Sequence, residues 1–223
     1  MSAPPPEIVP LFSIPFGVVT LPDGEVLNEP VVELLRARAA ATGGDGAVRH
    51  TPTRYQSHDD LFDWQDDALR RLLAAMLGGV GSVVLSLNEL PRERFEMLRV
   101  EARAWATIVR ADGCVPTTQY PNTAWLAVYC AASPPPSATR FDSGVLRLHE
   151  SRLGTMFADA TNSQLVMPYR PGHSSWRPVP GQMAVFPAWI AHEVALLRAP
   201  GDLVLVTARV RYVGPDQTGV RWW

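Results

Sequence analysis

Two stretches within the first ~100 residues carry apolar side chains at intervals of three and four, the spacing of one helix face. The first predicts a short helix that begins at Asn28 and ends before Gly43-Gly44. Its apolar residues are Val31, Val32, Leu34 and Leu35. The second predicts a longer helix from Ser57, where Ser57-His58-Asp59-Asp60 resembles a capping box, to Gly78-Gly79. Its apolar stripe, expected to pack on a sheet, is Leu61, Trp64, Leu69, Leu72, Leu73 and Met76.

From about Met97 the period shortens to two, which predicts strands. Charged Arg99, Glu101 and Arg103 alternate with apolar Val100, Ala102 and Ala104. Further short strands are predicted at residues 125–131, 145–149, 182–186, 193–197 and 203–212. Breakers rich in proline, glycine and serine separate them, as at 133–137 and 171–175. Because no helix is predicted among these strands, the pattern favours a β-sandwich or barrel over a parallel sheet.

The length of 223 residues suits a single domain. We expect a helical part over residues 1–96, a β core over 97–213 and a tail over 214–223. The tail ends in Trp222 and Trp223, which form either a packed terminal arm or an exposed patch that binds a partner. We favour packing.

Composition and charge limit the kinds of molecule that the protein is expected to bind. Hydrophobic residues make up 47% of the chain and charged residues 19%, enough for a sizeable core. The net charge of −2 disfavours nucleic acid and anionic membranes. No apolar run approaches the roughly 20 residues that span a bilayer, and residues 1–6 do not resemble a signal peptide. With only Cys114 and Cys130, the chain fits a reducing cytosol, so we expect a cytoplasmic protein.

The chain contains no lysine, so all 20 of its basic residues are arginine. This absence excludes a phosphate-binding lysine, a Schiff base with pyridoxal phosphate and any other lysine nucleophile. Arginine stays charged at any useful pH, so it can bind an anion but is a poor proton carrier. An arginine-rich chain without lysine also indicates a GC-rich bacterial genome.

Six groups of residues, in order along most of the chain, carry a family resemblance. They are Pro10-Leu11-Phe12 with Ile14-Pro15, residues 55–61, Ala104-Trp105 with Gly113, Pro121-Asn122 with Ala127-Val128-Tyr129, residues 144–152 and residues 181–192. These resemble motifs of a family of bacterial 2-oxoglutarate/Fe(II) oxygenases, and the last is similar to its strand, turn and distal metal histidine. The resemblance implies a mainly β, cupin-like jelly roll, the double-stranded β-helix, buttressed by N-terminal helices.

Three positions depart from the family pattern. Before Pro121, where the family places two metal-binding histidines two residues apart, this chain has Thr118 and Tyr120. Eleven residues after His192, where the resemblance places the arginine that binds the carboxylate of 2-oxoglutarate, stands Leu203. Alternate residues of a strand share a side, so Thr118 and Tyr120 keep the geometry of a ligand pair. A threonine hydroxyl is a poor iron ligand, and a phenol must first ionise from a pKa of about 10. We therefore expect no cofactor.

Two other groups are candidate iron ligands. His58-Asp59-Asp60 has the spacing of a histidine-x-aspartate pair, but its place at a predicted helix start favours capping. His149 and Glu150 would complete a site with His192 if their strand turns inward. We favour the alternative, in which His149 is half-buried on a strand and Glu150 pairs with Arg152. The remaining histidines are expected in exposed loops: His50 and His173.

Strand parity adds one inference about the last long strand. Positions 203, 205, 207, 209 and 211 share one of its faces. If Leu203 faces the pocket, as its family counterpart would, Thr207 and Arg209 do so too. Arg209 would then bind an anionic substrate from a new position. A surface arginine at a strand end is an equal alternative.

The leading hypothesis is an oxygenase-like enzyme of bacterial specialised metabolism that performs acid/base isomerisation, cyclisation or elimination without redox chemistry. His192 is the expected proton carrier because the usual pKa of an imidazole is near 6.5. Tyr120 would donate a hydrogen bond to a developing oxyanion, with Thr118 beside it. The expected substrate-binding residues are Arg209, Thr207, Gln119, Trp125 and Tyr129, the last two as an apolar wall.

Two alternatives stay open. A genuine iron oxygenase would use His192, His149 and Glu150 together with Fe(II) and 2-oxoglutarate. A non-catalytic protein would bind a small molecule or a partner through the same fold. In each enzyme hypothesis the partner is a small-molecule substrate, anionic if Arg209 binds it, with no nucleic acid or membrane. The oligomeric state is left open.

Overall fold

The computed structural model describes residues 13–41, 47–150, 164–167, 169 and 172–215. Within these ranges the helices are α1 (Gly24–Ala41), α2 (Asp67–Ser86) and α3 (Arg92–Glu96), with a 3-10 turn at Leu61–Asp63. The strands are β1 (Gly17–Thr20), β2 (Ala47–Thr51), β3 (Arg54–Ser57), β4 (Arg99–Val109), β5 (Val115–Thr118), β6 (Trp125–Ala132), β7 (Leu146–His149), β8 (His173–Trp176), β9 (Gln182–Pro187), β10 (His192–Val194) and β11 (Leu203–Val213).

These strands form two antiparallel sheets. The larger sheet has the order β1-β9-β6-β11-β4-β3-β2, and the smaller has the order β5-β10-β7-β8. Buried apolar residues of both sheets, such as Leu205 and Val194, form one cluster between them. The arrangement confirms the predicted mainly β jelly roll.

Helices α1 and α2 cover the other face of the larger sheet. Their buried residues, including Leu35 and Met76, cluster with Val204 and Val206 of β11. Side chains alternate along a strand, so Leu205 points to the opposite face, toward the smaller sheet. This alternation confirms the parity inferred for the last strand.

Both predicted helices have different bounds in the structure. Helix α1 begins at Gly24 rather than Asn28. Helix α2 begins at Asp67, and its N-cap is Asp66, whose carboxylate accepts a hydrogen bond from the amide of Leu69 at 2.9 Å. The prediction of a start at Ser57 is wrong because Ser57 ends β3. Its buried hydroxyl accepts a hydrogen bond from the amide of Ala106 on β4.

Gly78 and Gly79 do not end α2, which continues to Ser86. A Cβ on Gly79 would lie 2.6 Å from the methyl group of Met183, so glycine at this position allows close helix–sheet packing. With 20 residues, α2 is long and apolar enough to cross a membrane, contrary to the expectation from the sequence. Its buried residues, such as Leu72 and Met76, pack in the helix–sheet core, which is typical of a core helix.

The hairpin of β2 and β3 occupies a stretch in which the sequence analysis placed no strand. It extends the larger sheet beyond β4. His50 and His173 lie on strands, β2 and β8, rather than in loops, and both side chains are exposed. Residues 1–6, 10–12, 43–44, 151–152, 171 and 216–223, which entered the expectations above, lie outside the described residues.

Candidate functional site

A cavity of about 270 Å³ lies between the two sheets. Two cross-strand rows of the larger sheet line it: Trp105, Thr207 and Val128 in one, and Gln56, Thr107 and Leu205 in the next. The smaller sheet contributes all four residues of β5 together with Leu146, His192 and Val194. Both sheets therefore bring polar side chains to the same partly open cavity.

The three residues predicted to be catalytic all line this cavity. His192, the first residue of β10, lies directly opposite Thr118 on β5. Tyr120 follows β5, and its amide donates a hydrogen bond to the carbonyl of Ala188 at 2.8 Å. The ring centroids of Tyr120 and His192 are 6.0 Å apart. The structure thus brings these side chains together, although their roles stay predictions.

The tautomer of the His192 imidazole follows from its contacts. Its Nδ1 lies 2.9 Å from the carbonyl oxygen of Ile190. A carbonyl can only accept a hydrogen bond, so Nδ1 carries the proton of the neutral ring. The edge of Phe186 packs on the ring, with centroids 5.3 Å apart. Nε2, which has a free lone pair in this tautomer, is the nitrogen left for a ligand.

Burial sets the protonation states of two cavity residues. Burial lowers the pKa of His192, because the imidazolium is poorly solvated there. The hydrogen bond to the Ile190 carbonyl opposes this shift, and the charge of nearby His149 adds to it. Burial also raises the pKa of Tyr120, against the opposing effects of Thr118 and Arg209. Near neutral pH, His192 is therefore an unprotonated base and Tyr120 a protonated hydrogen-bond donor.

The lowered pKa of His192 predicts acid-sensitive stability. In the unfolded chain the imidazole takes up a proton below about pH 6.5, whereas the folded protein resists protonation until lower pH. The free energy of unfolding should therefore fall as the pH drops from roughly 6.5 toward the folded pKa. Urea denaturation between about pH 8 and about pH 5 should show this fall in the wild type and a weaker one in His192→Gln. Equal pH dependence in both proteins would contradict the assignment.

Among the predicted substrate-binding residues, Thr207 lines the cavity. Trp125 and Tyr129 do not form its wall, because odd-numbered residues of β6 face the helices. Tyr129 is buried there, and its hydroxyl donates a hydrogen bond to Asn28 of α1 at 2.6 Å. Gln119 is exposed and does not line the cavity. Val128, an even-numbered residue of β6, lines the cavity instead of the predicted Trp125 and Tyr129.

Arg209 lies on the cavity side of β11, as parity predicts, but it does not line the cavity. Its guanidinium forms an ion pair with Asp59 at 2.7 Å. The same group lies over the rings of Trp105 and Tyr120, 5.7 Å and 5.3 Å from their centroids. The guanidinium of Arg209 therefore packs on these two rings rather than facing a substrate anion in the cavity. Asp59 forms the ion pair with Arg209 and does not cap a helix.

The cavity residues that the sequence analysis missed include two arginines, Arg49 on β2 and Arg54 on β3. Both belong to the hairpin that the sequence analysis did not predict. With four residues, of which three are buried, β3 is too short and too uniform to give the period of a strand. The absence of lysine was the one signal that directed attention to arginine as the anion-binding residue type.

No protein-family model matches the chain, and no curated protein does. A prolyl-4-hydroxylase from Pseudomonas putida aligns over 88% of this chain and 91% of its own, with 16% identity and a TM-score of 0.55. The 2-oxoglutarate-dependent epimerase SnoN from nogalamycin biosynthesis aligns over 93% and 85%, with 13% identity and a TM-score of 0.56. HygX from Streptomyces hygroscopicus, with nickel and 2-oxoglutarate bound, aligns over 94% and 86%, with 13% identity and a TM-score of 0.55. The fold is that of the 2-oxoglutarate/Fe(II) oxygenases.

The donors in this oxygenase fold do not fit Fe(II). A non-haem iron site of this type needs three protein ligands on one face. Of the residues that the structure describes, the cavity lining includes one imidazole, His192, and no carboxylate. No three histidine, cysteine, aspartate or glutamate side chains come together elsewhere in the described ranges. The raised pKa of Tyr120 makes a phenolate ligand still less accessible.

The alternative ligand set of His192, His149 and Glu150 is not assembled either. His192 lies opposite Leu148, so Leu148 shares its face and His149 points to the other side of the smaller sheet. There Nε2 of His149 lies 3.7 Å from a carboxylate oxygen of Glu193. Glu150 follows the end of β7, where its amide donates a hydrogen bond to the carbonyl of Gly172.

Proposed function

We propose that this protein is an enzyme that transfers protons on a small molecule, using the oxygenase fold without iron. One observation carries the proposal. The sequence resemblance matches His192 to the distal metal histidine of the family, and its described neighbours in the cavity supply no second iron ligand. Its neutral imidazole, with Nδ1 held by the Ile190 carbonyl, is instead arranged as a base.

The cavity residues suggest one division of roles. Nε2 of His192 removes a proton from the substrate and returns it to another atom or to a leaving group. The hydroxyl of Tyr120 stays protonated and donates a hydrogen bond to the substrate oxygen that gains negative charge. Thr118, directly opposite His192, donates to Tyr120 or to the substrate. Return of the proton to a different atom gives isomerisation. Departure of a leaving group from the neighbouring atom, with formation of a double bond, gives elimination. Attack of the deprotonated atom on an electrophilic atom of the same molecule gives cyclisation.

The structural relatives support a setting in specialised metabolism. One relative is named as an alpha-ketoglutarate-dependent epimerase from nogalamycin biosynthesis, so an isomerising enzyme with this fold can also use that cofactor. Another is described with nickel, 2-oxoglutarate and hygromycin B bound. A substrate from bacterial specialised metabolism is therefore consistent with the fold, and a cytoplasmic location remains a prediction.

Turnover in the presence of a chelator tests the proposal. The purified protein is incubated with a library of small natural-product acids in EDTA, and products are identified by mass spectrometry. We expect a product with the substrate's mass, or with the mass lowered by a small leaving group such as water. Incorporation of oxygen, or turnover that requires added Fe(II) and 2-oxoglutarate, would overturn it. Ligand binding without conversion of any bound acid would favour the non-catalytic alternative.

A further inference from the structure

Two arginines at the edge of the larger sheet face the cavity. Arg54 of β3 lies opposite Val109 of β4, which lies opposite Leu203 of β11. The three residues form one cross-strand row, with Arg54 about 10 Å, or two strand spacings, from Leu203. Arg49 of β2 lies opposite Gln56, one row further along the sheet. The resemblance placed an anion-binding arginine at position 203. The structure has an arginine in the same cross-strand row, but this arginine belongs to β3.

Arg54 is a buried cation whose charge the described protein does not neutralise. Its side chain is 7% exposed, and Nη1 donates a hydrogen bond to the carbonyl of Cys114 at 3.1 Å. A guanidinium has five N–H donors. Within the part of the chain that the structure describes, no carboxylate lies within 4.0 Å of Arg54. Burial, followed by the charge of Arg49, lowers the pKa of Arg54.

Three half-buried arginines of this protein have acidic partners. Arg209 pairs with Asp59 and Arg211 with Glu101, both at 2.7 Å. Arg147 pairs with Glu193 at 3.1 Å. A buried charge is stable only when it is paired or hydrogen-bonded, because burial removes its hydration. Arg54 is more buried than these three, yet it has no such partner within the described ranges, which favours a ligand as its partner.

The surroundings of the two arginines also suit an anion. Two of the cavity-lining residues that the structure describes carry a positive charge, and none is aspartate or glutamate. Gln56 and Thr107, in the row of Arg49, offer uncharged hydrogen-bond donors. The cavity is thus locally positive in a chain whose net charge is −2. The planar fork of arginine matches the paired oxygens of a carboxylate or phosphate.

We propose that Arg54 and Arg49 form an anion-binding subsite that holds a carboxylate or phosphate group of the substrate, while the rest of the molecule reaches His192. The assignment of this bound anion as substrate rests on the proposed function. The volume of about 270 Å³ fits a small organic anion or the acidic end of a larger molecule.

Calorimetric titration of the full chain with succinate and, separately, with inorganic phosphate tests this subsite. Binding of either anion, weakened by salt, is expected, and the anion that binds more tightly identifies the group recognised. Neutral succinamide should not bind. Arg54→Gln should weaken binding at least about tenfold, and Arg49→Gln should weaken it less because Arg49 is exposed. Arg92→Gln removes an equal charge from the exposed helix α3 and should leave binding unchanged.

Three results would overturn the subsite: no binding of either anion by the wild type, equal affinity in Arg54→Gln, or an equal loss of affinity in Arg92→Gln. The melting temperature separates binding from a structural role. Removing a buried, unneutralised charge should leave the Tm of Arg54→Gln unchanged or raise it, whereas a structural arginine would lower it. His192→Gln should still bind the anion, so failure of the proton chemistry and failure of the subsite give different results.

Discussion

Replacing His192 by glutamine is expected to reduce kcat by about 10²- to 10⁴-fold on any substrate found in the chelator screen. The amide side chain is polar and similar in reach, but it cannot accept a proton at neutral pH. Because the lost step is proton transfer, KM should change much less than kcat. Steady-state kinetics of the purified variant measure both parameters.

His173→Gln is the matched control, since His173 is exposed on β8 and does not line the cavity. It should keep the wild-type kcat. Tyr120→Phe should lose less activity than His192→Gln, because it removes a hydrogen bond and leaves the base in place. A His192→Gln variant with wild-type kcat would contradict the role of the imidazole.

Replacing Gly113 by alanine is expected to lower the free energy of unfolding by at least about 2 kcal/mol. A Cβ at this position would overlap the carbonyl oxygen of Thr53 and lie 2.9 Å from that of Arg110. Both obstacles are backbone carbonyls that accept hydrogen bonds, from the amides of Arg110 and Gly113, so neither can move cheaply. The turn at 110–113 joins β4 to β5 and is hydrogen-bonded to Thr53, next to Arg54, so the subsite should lose anion affinity as well.

Gly78→Ala provides the control for the alanine substitution itself. Gly78 lies in α2, and a Cβ there would meet no atom within 4 Å. Alanine should stabilise the helix by about 0.5–1 kcal/mol. Urea denaturation measures the free energy of unfolding of both variants. A Gly113→Ala protein as stable as the wild type would contradict the close approach of Thr53 to Gly113.

Much of the β core could be predicted, because side chains point alternately to the two faces of a strand and the two faces have different surroundings. β11 is the clearest case, since its odd positions meet the cavity-side core and its even positions meet the helices. The helix starts were less predictable. Ser57 and Asp66 are both good caps by residue type, and only the pairing of β3 with β4 decides that Ser57 belongs to a strand.

The candidate site was predictable where the family resemblance covers the strands that carry it. Thr118 and His192 could be placed together because the resemblance covers both of their strands. Arg49 and Arg54 could not, because the β2–β3 hairpin is short and its cavity face is defined only by pairing with β4. Arg209 was placed on the correct face, but its partner Asp59 is 150 residues away and gave no local signal.

We propose that His192 is a proton carrier in a cavity that does not hold iron. Anaerobic incubation of the full chain with Fe(II) and 2-oxoglutarate, followed by desalting and metal analysis, tests that claim most directly. The account predicts iron far below one equivalent per chain, with no difference between the wild type and His192→Gln. One tightly bound iron per chain in the wild type, lost in His192→Gln, would contradict it.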